Sequence, residues 1–183
     1  MATNIYLQTL GDSDYEWPED RPDIRDWEVK DAQGRRVGYV DELLIDPKTH
    51  QLRYLILYLH SDHLHLKGGK VLLPAGLAEL HTEDDDVLLP SVSGEQLRAL
   101  PAYVKGLNTD EEQLICSVLG CCSKKALKKG GEEPYRESCF DERLLFRTRR
   151  HRMDEAYRME DRRDEAGEAR RASRSRDPNN RTE

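Results

Sequence analysis

The chain is short of cysteine, of aromatic residues and of long apolar runs: its 183 residues hold four Cys, two Trp and two Phe, and no stretch of 18 apolar residues occurs. Each shortage excludes something. Without a long apolar run there is no candidate transmembrane helix. Residues 1–10 have neither a basic start nor an apolar core, so no signal peptide is expected. The expectation is a soluble, cytoplasmic protein whose membrane contact is at most peripheral. Cys116, Cys121, Cys122 and Cys139, in a chain without a leader, point to reduced thiols rather than a disulfide framework. A P-loop, a dinucleotide fingerprint, a nucleophile elbow and paired helical histidines are also missing. The sequence therefore reads as non-enzymatic, with no cofactor.

Charge is what the chain has in quantity: 36% of residues are charged against 37% apolar, for a net charge of −7. It is unevenly spread. Acids outnumber bases 6 to 2 over residues 1–25 and 13 to 8 over 26–103, whereas 104–183 carry 17 acids and 19 bases. The acidic total conceals a slightly basic C-terminal region.

Between Trp27 and Pro101, apolar runs of four to eight residues alternate with Gly, Pro and Asp breakers, which is an all-β signature. Strands are expected at 5–10, 27–29, 36–45, 52–60, 71–73, 77–81 and 87–89, with an acidic, proline-interrupted connector over 12–26. Asp31-Ala32-Gln33-Gly34 and Asp46-Pro47-Lys48-Thr49 read as tight turns between antiparallel strands. The run Arg53-Tyr54-Leu55-Ile56-Leu57-Tyr58-Leu59 is apolar on both alternating faces, so both must be covered. The cover is either the chain's own helices and sheet or, through Tyr54, Ile56 and Tyr58, a partner protein or a second copy.

Ser93-Gly94-Glu95-Gln96 is a capping box that opens a helix ended by Pro101. A second box, Thr109 to Glu112, predicts a helix with Leu114, Ile115, Val118 and Leu119 on one face and a stop at Gly120. From Phe140 onward the apolar residues become too sparse for a continuous stripe. Residues 143–176 hold 12 arginines and 7 acids, an exposed charged helix or a disordered tail. Its pairs Arg149-Arg150, Arg162-Arg163 and Arg170-Arg171 are candidate phosphate contacts for RNA or a ribosome, or for an anionic membrane surface.

Two segments carry metal-binding residue types. His63 and His65 share one face of an extended strand, with His60 or Asp62 near them; they are candidate metal ligands, the alternative being a polar hairpin loop. The cysteines lack the two separated pairs of a four-cysteine zinc site, and adjacent side chains such as Cys121 and Cys122 diverge. Residues 83–86 read as a solvated acidic hairpin tip.

Taken in order, Asp26-Trp27-Glu28-Val29, Asp31-x-x-Gly34-x-x-Val37-Gly38-x-Val40-Asp41, Leu44-Ile45-Asp46, Arg53-Tyr54-Leu55, Val71-Leu72-Leu73-Pro74 and Leu100-Pro101-x-Tyr103 resemble the PRC-barrel family. That family includes the cytoplasmic barrel of the photosynthetic reaction-centre H subunit, half of a ribosome-maturation factor, and stand-alone bacterial proteins. The resemblance implies a small antiparallel β-barrel over residues 26–104. Residues 1–25 precede it as a strand and connector, 105–139 follow as a short helix and a Cys/Lys linker, and 140–183 form the arginine-rich tail. Trp27, Gly34, Gly38, Asp41, Asp46, Arg53, Tyr54, Pro74 and Pro101 are its fold-keeping residues, with Arg53 pairing Asp41 or Asp46. The function implied is docking to a larger complex, and members are linked to photosynthetic light reactions and stress responses. This chain lacks the H subunit's membrane helix and the maturation factor's second barrel. It has Ile56 where reaction-centre versions carry acids, so proton delivery does not carry over. The alternatives are a ribosome- or RNA-associated factor acting through the tail and, more distantly, a metal- or stress-responsive sensor.

Overall fold

Seven stretches become strands: β1 (Gln8–Thr9), β2 (Glu28–Lys30), β3 (Arg36–Ile45), β4 (Leu52–Leu59), β5 (Gly69–Pro74), β6 (Glu79–Leu80) and β7 (Asp86–Leu88). The computed structural model describes residues 6–60, 69–81, 84–122 and 134–146. Both expected turns are built on an aspartate. The Asp31 carboxylate accepts from Gln33 N and Arg35 N, each at 3.0 Å, while Gly34 takes a left-handed φ of 77°. Asp46 accepts from Lys48 N at 2.9 Å. In each case the short side chain supplies an acceptor that the reversing backbone lacks.

The strand order is β5-β4-β3-β2-β7-β6, with β1 pairing the second half of β3 beside β2. Two features correct the expected antiparallel barrel. First, β2 and β7 are parallel, in the register Val29 to Val87, so the sheet is mixed. Second, among the described residues no ladder joins β5 to β6, and the sheet does not close. β6 has only two residues to offer, and the free edge of β5 is met instead by a single bridge from Val71 to Ala102. Lys30 and Asp86 form a buried ion pair at 2.8 Å where the parallel strands meet. Asp86 is therefore not part of a solvated tip, although Asp84 and Asp85 are exposed.

Helix α1 (Gly94–Ala99) starts at the expected Ser93–Gln96 capping box. Helix α2 (Thr109–Leu119) starts one residue earlier than its sequence suggested, because Asn108 and Glu111 make the reciprocal bonds. That shift releases Glu112 from capping and turns it inward. The buried face of α2 is Glu112, Ile115 and Cys116, while Leu114 stays 48% exposed. Gly120, at a φ of 63°, ends the helix as expected. Helix α3 (Glu142–Leu145) is one turn long, capped by Asp141. No described helix is long and apolar enough to cross a membrane.

The core surrounds β4, every residue of which is buried except the half-buried Tyr58. Gly38 is the tightest point beside it, since a Cβ there would lie 1.9 Å from the Tyr58 carbonyl oxygen. Backbone cannot yield as a side-chain tip can. Gly38→Ala should destabilise the fold by at least about 2 kcal/mol, toward the upper end of overpacking costs, as read from urea unfolding. A loss below about 0.5 kcal/mol would show that β3 and β4 are not this close.

Candidate functional site

The β4 face carrying Tyr54, Ile56 and Tyr58 has two ends with opposite fates. At the Tyr54 end, α2 and the segment 134–146 lie over it. The Tyr54 hydroxyl donates to Glu112 Oε1 at 2.7 Å, and the Phe140 ring meets Tyr54 edge-on at 5.2 Å. Tyr135 packs on Phe140, and the Arg53 guanidinium sits over the Tyr135 ring at 4.7 Å. Arg53 also pairs Asp46 at 3.5 Å. Glu142 of α3 fastens the cover to the strand, accepting from Leu52 N at 2.8 Å and from Arg21 at 3.1 Å.

Burial raises the Glu112 carboxyl above its ordinary range, although the hydrogen bond from Tyr54 and the charge of Arg53 pull the other way. Burial, followed by the charge of Glu112, pushes the Tyr54 phenol well up, and burial does the same to Tyr135. Displaced titration often marks reactive sites. Here Tyr54 is 0% and Glu112 2% exposed, so the pair acts as an internal clasp.

At the other end the same face is open. Tyr39 and Tyr58, cross-strand partners on β3 and β4, stack at 5.2 Å and 22°. His60 leans on both, at 5.8 and 6.4 Å. Beside them Asp41 and Lys70 form an ion pair at 2.6 Å, and the hydrogen bond to Asp41 raises the Lys70 ammonium. Tyr103 N, donating to Lys70 O at 2.7 Å, closes the edge. A half-exposed aromatic strip with a charged rim has the composition of a protein-docking surface. A second concavity, an open cleft of about 510 Å³, lies between the Tyr15–His50 stack and Gln8, with Asp14 and Glu16 on its wall.

Residues 19–96 match the model of the PRC-barrel domain family. This segment is a PRC-barrel domain. No curated protein matches the chain. The tyrosine strip lies inside the PRC-barrel domain, whereas α2 and 134–146, which seal the Tyr54 end, lie outside the matched residues.

Several expectations about site residues change. Tyr54 and Ile56 do not form an exposed interface with Tyr58, because the chain's own elements bury them at 0% and 1% exposure. Of the two partners considered for Arg53, Asp46 is used, and Asp41 pairs Lys70 instead. Trp27 is half-buried against the core, Pro74 lies opposite Tyr54 in the β5 register, and Pro101 follows the end of α1. His60 is exposed at the end of β4. His63, His65, Arg149, Arg150, Arg162, Arg163, Arg170 and Arg171 lie outside the described residues.

The cysteines are not four reduced thiols. Cys116 and Cys122 form a disulfide, while Cys121 and Cys139 are free. Nor do Cys121 and Cys122 diverge: after the left-handed Gly120 their sulfurs are 3.7 Å apart. Sequence reasoning missed Tyr39 and Glu112. The first could have been found by laying the 36–45 strand against 52–60, which sets it opposite Tyr58. The second gives no local signal.

A carboxyl held above its unfolded range binds its proton more tightly in the folded state, so its stabilisation is fullest at acid pH and fades as pH rises through the raised value. Glu112→Gln is permanently neutral and escapes that loss. The stability of Glu112→Gln relative to wild type should therefore improve as pH rises out of the ordinary carboxylate range and level off once the buried Glu112 is itself ionised, as read from thermal midpoints. A constant difference across the range would mean that Glu112 titrates as an exposed carboxylate does.

Proposed function

We propose that the chain is a non-enzymatic protein-binding module that docks on a larger assembly through the Tyr39–Tyr58–His60 strip of its PRC-barrel domain. The supporting observation is the asymmetry of one sheet face. The chain covers the Tyr54 end with its own α2 and 134–146 and leaves the Tyr58 end open, with stacked rings and the Asp41–Lys70 rim. Large rigid rings that lose few rotamers on contact, ringed by polar groups, are what binding hot spots use. PRC-barrel domains often mediate protein interactions, and the likeness to the barrel of the reaction-centre H subunit favours docking as the form this interaction takes. The displaced titratable groups Tyr54, Glu112 and Tyr135 are spent on internal closure, which supports binding over acid–base chemistry.

The test is affinity capture from native lysate with the full chain, comparing wild type with Tyr39→Ser/Tyr58→Ser. A stoichiometric protein partner should come down with the wild type and bind the double variant at least about 10-fold more weakly, a loss of about 1.4 kcal/mol. The same partner held equally by both chains, or capture dominated by RNA and abolished by moderate salt, would overturn this reading.

A further inference from the structure

The four cysteines, all that the chain contains, meet at the C-terminal end of α2. Cys116 is buried in the last turns of the helix. Gly120 then reverses the backbone, with Cys121 N donating to Cys116 O at 3.3 Å, and brings Cys121 and Cys122 back alongside the helix end. Cys139 arrives from the 3₁₀ turn Ser138–Phe140, which is held so close to the sheet side that Gly76 abuts the backbone of Ser138 and Cys139. Cys122 Sγ is 3.5 Å from Cys139 Sγ and 3.7 Å from Cys121 Sγ, and is bonded to Cys116. The sulfurs of Cys116, Cys121 and Cys122 all lie within 4.8 Å of one another.

We propose that, once the disulfide is reduced, Cys116, Cys121, Cys122 and Cys139 form a four-thiolate site for a single zinc ion. A tetrahedral zinc with bonds of about 2.3 Å to sulfur separates its ligand sulfurs by about 3.8 Å. The Cys122–Cys121 and Cys122–Cys139 separations are already close to that edge, and opening the Cys116–Cys122 bond frees the remaining ligands. The disulfide alone accounts for two of the sulfurs. It gives no reason for the other two to complete the cluster from either side. Four soft thiolates select zinc over calcium or magnesium. The irregular sequence spacing is no obstacle, since the turn at Gly120 aims adjacent side chains to one side.

The chemistry balances with a dithiol reductant. It delivers two electrons and two protons to the Cys116–Cys122 bond and leaves as its own disulfide. Zinc then displaces four thiol protons to solvent, giving a site of net charge −2. The ion ties α2 to the segment bearing Phe140, and so holds together the two elements that cover Tyr54.

The experiment uses the full chain, reduced with a dithiol under inert gas, desalted and titrated with cobalt(II), then with zinc. The expected result is one cobalt per chain with the intense visible absorption of a tetrahedral thiolate complex, displaced by one zinc. Cys121→Ser and Cys139→Ser should each weaken zinc binding by at least about 100-fold, at or beyond the cost of losing a ligand's supporting contacts. Ser117→Ala, an exposed neighbour, should leave it unchanged. Far-UV circular dichroism shows whether the variants fold, and the wild-type titration decides if they do not. Substoichiometric uptake, or only the weak spectrum of octahedral cobalt, overturns the proposal. So does undiminished binding by both folded cysteine variants.

Discussion

The hydrogen bond between Tyr54 and Glu112 is the constraint on which the arrangement of this chain depends. A strand apolar on both faces cannot stand at a protein surface, and β4 is such a strand. The helix that covers it brings a carboxylate, which is costly to bury without a partner. The Tyr54 hydroxyl is that partner, and its own burial would be costly without Glu112. Each makes the other's position tolerable. The register of α2 follows, because only with Asn108 and Glu111 as the capping pair is Glu112 free to face the sheet.

From that clasp the rest of the surface is divided. Segment 134–146 extends the cover with Phe140 against Tyr54 and Tyr135 beneath Arg53, and Glu142 anchors it to the start of β4. These elements lie outside the PRC-barrel segment and close one end of its sheet face. The other end keeps Tyr39, Tyr58 and His60 accessible beside an ion pair. One face thus carries an intramolecular cover at one end and stays accessible at the other. The cysteine cluster sits where the two parts of the cover meet, so a bond or a metal there acts on the cover and not on the open strip.

Much of the local structure was legible in the sequence because its causes are local. The aspartate turns, the strand from 36 to 45, the Ser93 capping box and the stop at Gly120 each follow from a few neighbouring residues. The family resemblance was legible for the same reason, as short motifs in order. Pairings made across long stretches of chain were not. Nothing near Val29 says that it will lie parallel to Val87, and nothing near Val71 says that Ala102 will take the edge a closing strand would need. The burial of Tyr54 and Ile56 was half legible: both faces of β4 had to be covered, but their pattern is the same whether a helix of the same chain or a partner does it. Asn108 and Thr109 are both competent caps, so the one-residue choice that turns Glu112 inward rests on tertiary contact. The cysteine cluster depends on Cys139 returning from a distant turn, which spacing alone does not reveal.

The central claim is that Tyr54 and Glu112 are energetically coupled as the clasp of the cover, and a double-mutant cycle in urea unfolding with Tyr54→Phe and Glu112→Met tests it most directly. The account predicts that the double variant will lose less stability than the two single losses combined, with a coupling of about 1–2 kcal/mol. Additivity within about 0.5 kcal/mol would contradict it, because the two side chains would then contribute independently of each other.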